Sequence, residues 1–264
     1  MMRPLLEVRN TSAGYRAVKV VRDVSFCLSP GERVSIIGPN GCGKTTLLKA
    51  ICKLIPLMGG DVLVNGGTIA KLDRRALAAE MAMMAQISDQ WFDFTVMDAV
   101  LMGRYSRRRN ALVTTTDEDR QVAEQCLQTV GMTMQANDSI TWLSGGQRQR
   151  VMLARAFAQG ARIIVLDEPT NHLDMRYQAE LFEHLKAWVS QSDRAVIQVM
   201  HDLNFTRLYS DRVLLMNDGR IIADGTPDKI MNMRELDETY NFGIRYFMKN
   251  SLKYWEVNTI ERSK

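Results

Sequence analysis

The chain has 264 residues, enough for one large domain or two small ones around a buried core and too few for a long multidomain machine. Hydrophobic residues at 46% and charged residues at 24% exclude disordered, collagenous and disulfide-framework classes. The net charge of +4 is only mildly basic, short of the dense positive surface that nucleic-acid affinity demands, so no nucleic-acid partner is expected.

In chain order, Leu5 to Asn10 and Val18 to Leu28 alternate apolar and polar residues and read as strands, with Pro30-Gly31 as punctuation before the buried strand Val34 to Ile37. A glycine-rich loop then runs into Thr45 to Ile55, whose apolar residues recur at helical spacing. After Asp61 to Gly66, Arg75 to Glu80 reads as a short helix and Met81 to Gln86 as a strand. From about residue 88 to 159 the composition turns helical, with three-to-four periodicity in Thr95 to Arg104 and in Asp117 to Gly131. Alternation of strand and helix returns in Ala161 to Pro169, Ala179 to Val189, Arg194 to Met200, the segment after His201, Arg212 to Gly219 and Arg220 to Gly225. The expected class is therefore α/β. One domain is expected, with residues 1–87 and 160–240 forming the β-containing core, 88–159 a helical insertion and 241–264 a short C-terminal extension.

Four cysteines, Cys27, Cys42, Cys52 and Cys126, stand far apart without a CxxC pair and read as reduced thiols. No run of eighteen apolar residues is free of charge, and the N-terminus turns charged too early for a signal peptide, so the chain is expected neither to span nor to cross a membrane. Arg104, Arg107, Arg108 and Arg109 beside Tyr105 read as a solvated loop or a headgroup-facing surface, and the 17 methionines as core filler.

Three motifs carry chemistry. Gly38-Pro39-Asn40-Gly41-Cys42-Gly43-Lys44-Thr45 fits GxxxxGK[ST] between a strand and a helix. Its glycines let backbone N–H groups point at a phosphate chain, the helix start adds its positive end, and Lys44 brings full charge to the outer phosphates. The Thr45 hydroxyl suits Mg²⁺, a hard cation that prefers oxygen, and Thr46 continues the loop into the helix. Cys42 stands beside Lys44 and the helix start, which lower a thiol pKa, although a buried inert thiol is the ordinary reading. Second, the apolar strand Ile163 to Leu166 ends in Asp167-Glu168-Pro169, with Asp167 the candidate Mg²⁺ holder and Glu168 the candidate general base for an attacking water.

The third motif is Leu143-Ser144-Gly145-Gly146-Gln147 ahead of a helical stretch, which puts a serine hydroxyl and two glycine N–H groups at a helix N-terminus. Alone this is a capped turn. Beside the first two motifs it is a second phosphate-binding surface, which one chain hardly needs unless it serves a neighbouring subunit's nucleotide.

Together these residues resemble the ATP-binding-cassette ATPases over nearly the whole chain. The resemblance implies a P-loop NTPase fold with a RecA-like core, an N-terminal antiparallel β subdomain and an inserted helical signature subdomain. It also implies roles: Tyr15 stacks on adenine, Gln86 is the Q-loop residue that senses Mg²⁺ or the attacking water, Asn171-His172-Leu173-Asp174 is the D-loop, and His201 is the switch histidine that orients Glu168. ATP and Mg²⁺ are the implied cofactors. Two copies are implied to sandwich ATP, with Lys44, Thr45, Asp167 and Glu168 of one facing Ser144, Gly145 and Gly146 of the other.

The stretch from Phe92 through Arg108, with Leu166 to Asp174 and Met200 to Asn204, resembles ATPases of bacterial importers for iron-siderophore, haem and cobalamin. That likeness implies a separate transmembrane permease dimer, a periplasmic or extracellular substrate-binding protein acting indirectly, and a peripheral location on the cytoplasmic face of the bacterial inner membrane. The alternative is a soluble ABC ATPase acting on ribosomes or nucleic acid; the ribosomal members carry two cassettes where this chain has one. A DNA-repair relative would insert long heptads between Lys44 and Ser144, which are not there, and a P-loop GTPase would carry NKxD.

Overall fold

The computed structural model describes residues 3–84, 94–107, 115–170, 173–191 and 193–251. The chain opens with strands Leu6–Tyr15 (β1) and Val18–Leu28 (β2), an antiparallel hairpin whose turn places Arg16 at φ 54°. β1 runs five residues past the alternating stretch seen in the sequence. The register shifts between Val8 and Thr11 and again before Ala13, and each bulge resets the inside-outside alternation, so the period-two pattern breaks while the strand continues. Strand Arg33–Ile37 (β3) feeds helix Lys44–Ile51 (α1), followed by Leu57–Val64 (β4) and Gly67–Thr68 (β5). The first sheet has the order β2-β1-β4-β5.

Helix Arg74–Glu80 (α2) passes directly into strand Met81–Met84 (β6). The last two residues of the expected strand, Ala85 and Gln86, lie outside the described residues. Helix Val96–Leu101 (α3) tightens into a 3₁₀ turn over Met102–Arg107, so the expected ten-residue helix is split. Gly103 lies so close to the backbone at Arg155 that a Cβ there would meet the Arg155 carbonyl oxygen, and the tighter turn accommodates that approach. Helices Asp117–Thr129 (α4) and Gly145–Ala158 (α5) follow. The remainder alternates: Ile163–Asp167 (β7), Met175–Val189 (α6), Ala195–Val199 (β8), Leu203–Tyr209 (α7), Arg212–Asn217 (β9) and Arg220–Gly225 (β10). Two short helices absent from the sequence expectation, Pro227–Asn232 (α8) and Arg234–Tyr240 (α9), come next, and residues 244–251 are also helical.

The second sheet has the order β10-β9-β3-β8-β7-β6, parallel except for β10. Its central strands bury both faces, as parallel strands must. Ile163, Val165, Ala195, Ile197 and Leu214 face a core shared with α1 and the antiparallel sheet, while Ile164, Leu166, Val196, Val213 and Leu215 face a core shared with α3 to α6. Helix α1 is wedged between the two sheets, and its Leu47, Leu48 and Ile51 are fully buried. The helices of the 94–159 region join the sheet's second core without a break, through Val100, Val151, Leu153 and Phe157.

Arg104 and Arg107 correct the reading of a solvated basic cluster. Arg104 is mostly buried, pairs with Asp119 at 2.9 Å and donates to the Ala158 carbonyl, and Arg107 donates to the Gln159 and Gly160 carbonyls at the end of α5 and to the Ala79 carbonyl in α2. Unpaired carbonyls at a helix C-terminus attract guanidinium groups, and that demand outweighs hydration of these two arginines. Arg108 and Arg109 lie outside the described residues. No described helix is long and apolar enough to cross a membrane.

Candidate functional site: a bare helix start beside two strand-end acids

The site begins where β3 stops. Gly38, Gly41 and Gly43 all take positive φ, and a Cβ on Gly38 would lie 2.1 Å from the Met216 carbonyl oxygen, so only glycine passes there. Asp73, Thr95, Thr116, Ser144, Asp174, Asp202 and Thr226 each cap a helix with a side-chain oxygen, but α1 starts at Gly43 with no side-chain cap. Its first N–H groups therefore keep their capacity for an anion.

Lys44 is 5% exposed and its ammonium donates to the carbonyls of Gly38 at 2.8 Å and Pro39 at 2.9 Å. Those two carbonyls hold the buried charge in the loop, ready to exchange them for phosphate oxygens. Thr45 donates its hydroxyl to Asp167 Oδ1 at 2.9 Å, joining α1 to the end of β7. Asp167 is 6% exposed, and burial lifts its pKa above the ordinary carboxylate value, opposed by the Thr45 bond and reinforced by the neighbouring Glu168. A buried carboxylate held in its costly charged form next to a hydroxyl is a donor pair that suits a hard divalent cation.

Glu168 follows at φ 51°, a left-handed conformation that a non-glycine residue adopts at some cost, and it turns the carboxylate into the cleft. Its Oε1 lies 2.6 Å from Nε2 of His201, two residues beyond the end of β8. Val20, Asn40, Gly41, Gly43, Lys44, Thr45, Thr46 and Glu168 line a cleft of about 190 Å³. Cys42 is buried behind it, and burial raises its thiol pKa despite Lys44, so the inert reading holds and the low-pKa one does not.

The other expected residues lie elsewhere. Tyr15 ends β1 with a ring 46% exposed and is not among the residues lining the cleft. Ser144 caps α5: its Oγ accepts from Gln147 N, while Gln147 Oε1 accepts from Ser144 N at 2.9 Å. A Cβ on Gly145 would meet nothing within 4 Å, one on Gly146 would meet the Tyr177 ring, and none of Ser144, Gly145, Gly146 or Gln147 lines the cleft. Asp174 caps α6 by accepting from Tyr177 N at 3.1 Å. Gln86, Asn171 and His172 lie outside the described residues.

Gln149 and Gln178 escaped the sequence reading. Gln149 Nε2, buried on α5, donates to the Pro169 carbonyl at 2.6 Å, and Gln178 Nε2 on α6 donates to the Leu173 carbonyl at 2.8 Å. The two amides hold the segment after Glu168 from both ends. A polar residue on the apolar face of α5 was the available signal for Gln149, whereas Gln178 left none.

The ABC transporter family matches residues 21–171, which contain all three motifs. This chain belongs to that family. It is 34% identical to the petrobactin import ATP-binding protein YclP of Bacillus subtilis, over 91% of this chain and 94% of that one. It is 35% identical to the hemin import ATP-binding protein HmuV of Methylobacillus flagellatus, over 86% of each. Among solved structures, a chain of an ABC transporter described as metal-chelate type, in an inward-facing conformation, superposes with a TM-score of 0.79 at 29% identity, covering 91% of this chain and 90% of that one. The P-loop NTPase fold expected of an ABC ATPase is thereby established, as are ATP binding and ATP hydrolysis coupled to transport.

Proposed function

We propose that this ABC ATPase powers uptake of a metal chelate of the iron-siderophore, haem or cobalamin class through a separate membrane permease. The observation that carries the cargo class is the identity of about one third, across most of the chain, to subunits whose names specify petrobactin and hemin import. In this reading the chain docks at the cytoplasmic face of the membrane on a permease dimer, and a substrate-binding protein outside delivers the cargo to that permease. Residues 88–159 act as the helical subdomain that meets the permease.

In this reading the residue roles are those the resemblance implies, and the geometry around Lys44, Thr45, Asp167, Glu168 and His201 supports theirs. N–H groups of the Gly38 to Thr46 loop and the Lys44 ammonium hold the phosphates of ATP, and Tyr15 packs against the adenine. Thr45 and Asp167 would hold Mg²⁺ with Gln86, and the ion would supply charge neutralisation at the phosphates. Glu168 accepts a proton from the water that attacks the terminal phosphorus, as the bond to the ADP oxygen breaks and ADP leaves with its electrons. His201, 2.6 Å from Glu168, keeps that carboxylate aimed. Ser144, Gly145, Gly146, Gln147 and Asp174 serve the ATP of a second copy across a nucleotide-sandwich dimer. Hydrolysis opens that dimer, and the displacement reaches the permease.

Purification from the membranes of a bacterial host tests the assignment. Recovery of a polytopic permease that loads a ferric chelate in vesicles supports it, and recovery of ribosomes in its place overturns it.

A further inference from the structure

The amide of Gly38, the first residue of the phosphate loop, does not bond within the loop. It donates at 3.0 Å to the hydroxyl of Tyr240, the last residue of α9, 202 positions away in the chain. Two independent groups therefore grip Gly38: the Tyr240 hydroxyl accepts a hydrogen bond from its N–H, and Lys44 donates one to its carbonyl. The Met216 carbonyl closes the third side.

The two grips differ in what ATP does to them. Lys44 spends two of its three N–H donors on the Gly38 and Pro39 carbonyls and must share that donor capacity with phosphate, whereas nothing in phosphate binding competes for the Tyr240 hydroxyl. That hydroxyl is delivered by a braced segment. Leu236 and Thr239 of α9 are buried, and Arg245 pairs with Asp237 at 2.7 Å while donating to the Asn232 carbonyl. The Tyr240 ring packs against the core beneath the second sheet. Burial pushes the phenol up to about 12, so its oxygen is a neutral acceptor at every physiological pH.

We propose that Tyr240 is a positioning residue for ATP: it holds the start of the phosphate loop in its binding shape while Lys44 turns to phosphate, so helix α9 preorganises the nucleotide site. The proposal rests on the reading of residues 38–46 as the phosphate loop.

Tyr240→Phe removes the hydroxyl and keeps the ring. Removing one neutral hydrogen bond should raise the KM and Kd for ATP about two- to ten-fold. The kcat should stay within about two-fold of wild type, because Glu168 and His201 are untouched. A structural role alone would lower Tm and leave KM unmoved, and a folded Tyr240→Phe protein with wild-type KM and Kd overturns the proposal. Hydrogen exchange on the wild-type chain gives a variant-free test, in which the Gly38 amide should be slow to exchange both without nucleotide and with a non-hydrolysable ATP analogue. Fast exchange of that amide with the analogue bound overturns the proposal even if the variant does not fold. Lys44→Ala measured in parallel separates the two levels: wild-type ATP affinity in that variant sinks the phosphate-loop reading itself, whereas its expected loss beside an unaltered Tyr240→Phe sinks only the role of Tyr240.

Discussion

Two glycine turns in this chain lead into helices, and the folded protein treats them in opposite ways. The turn at Gly38 to Gly43 is woven into its surroundings: Lys44 bonds two loop carbonyls, Thr45 reaches Asp167, and Tyr240 takes the amide of Gly38. The turn at Ser144 to Gly146 closes on itself through a capping box and faces open space at Gly145. The first keeps its helix start uncapped beside a candidate general base and a candidate metal holder. Among the described residues, the second meets no such group. A phosphate cradle and an outward-facing half of one are what the proposed site shared between two copies would require, and hydrolysis and assembly would then be separable properties of the two turns.

The largest expected effect lies on the first turn's side. Glu168→Gln should slow hydrolysis by about 10²- to 10⁴-fold while ATP binding persists, with closed dimer accumulating in size-exclusion chromatography. Unchanged turnover removes Glu168 from the base role. Next, Lys44→Ala should weaken ATP by about ten- to a hundred-fold in a titration with labelled nucleotide, since a charge-assisted bond to phosphate is lost.

The second turn is tested by mixing. Ser144→Arg and Lys44→Ala subunits should each be inactive alone, yet a heterodimer keeps one intact composite site and regains ATPase activity. No gain on mixing makes the two turns parts of one chain's site and cancels the contrast between them. Gln149→Leu should sharpen it, because the Pro169 carbonyl loses its buried donor and the protein should lose about 1–3 kcal/mol in urea denaturation.

The smallest effect concerns Asp167. Its carboxylate pKa is raised in the folded chain, so the unfolded state loses its proton first and stability falls as pH rises from the ordinary value of 3.8 toward the folded one. Above that window the cost of the buried charge is fully present. Asp167→Asn should therefore raise Tm of the nucleotide-free protein at neutral pH, on the order of 2 °C, and abolish the added stabilisation by Mg²⁺ with ATP. A lower Tm without ligand would mean that the bond with Thr45 outweighs the cost of the charge.

The motifs were legible because their chemistry is local. Gly38 to Thr45 and Ser144 to Gln147 work through backbone conformation and a helix start within eight residues, and Asp167-Glu168 through the end of one strand. β1 was read five residues short, since bulges break the alternation that reveals a strand. The capping of α5 by Ser144 was visible, but its effect of leaving the turn facing outward was not, since that depends on what stands beyond Gly145.

Amino-acid order alone specified a P-loop ATPase with a candidate base, a candidate metal holder and a candidate second phosphate-binding turn. It could do so because each motif spans a few residues whose conformations are coupled through consecutive peptide bonds. Folding added the bond from Thr45 to Asp167, the pairing of Glu168 with His201, the two glutamine amides around the segment after Glu168, and the reach of Tyr240 to Gly38. Those contacts join positions far apart in the chain, and no local periodicity encodes a distance that exists only once sheet and helices have packed.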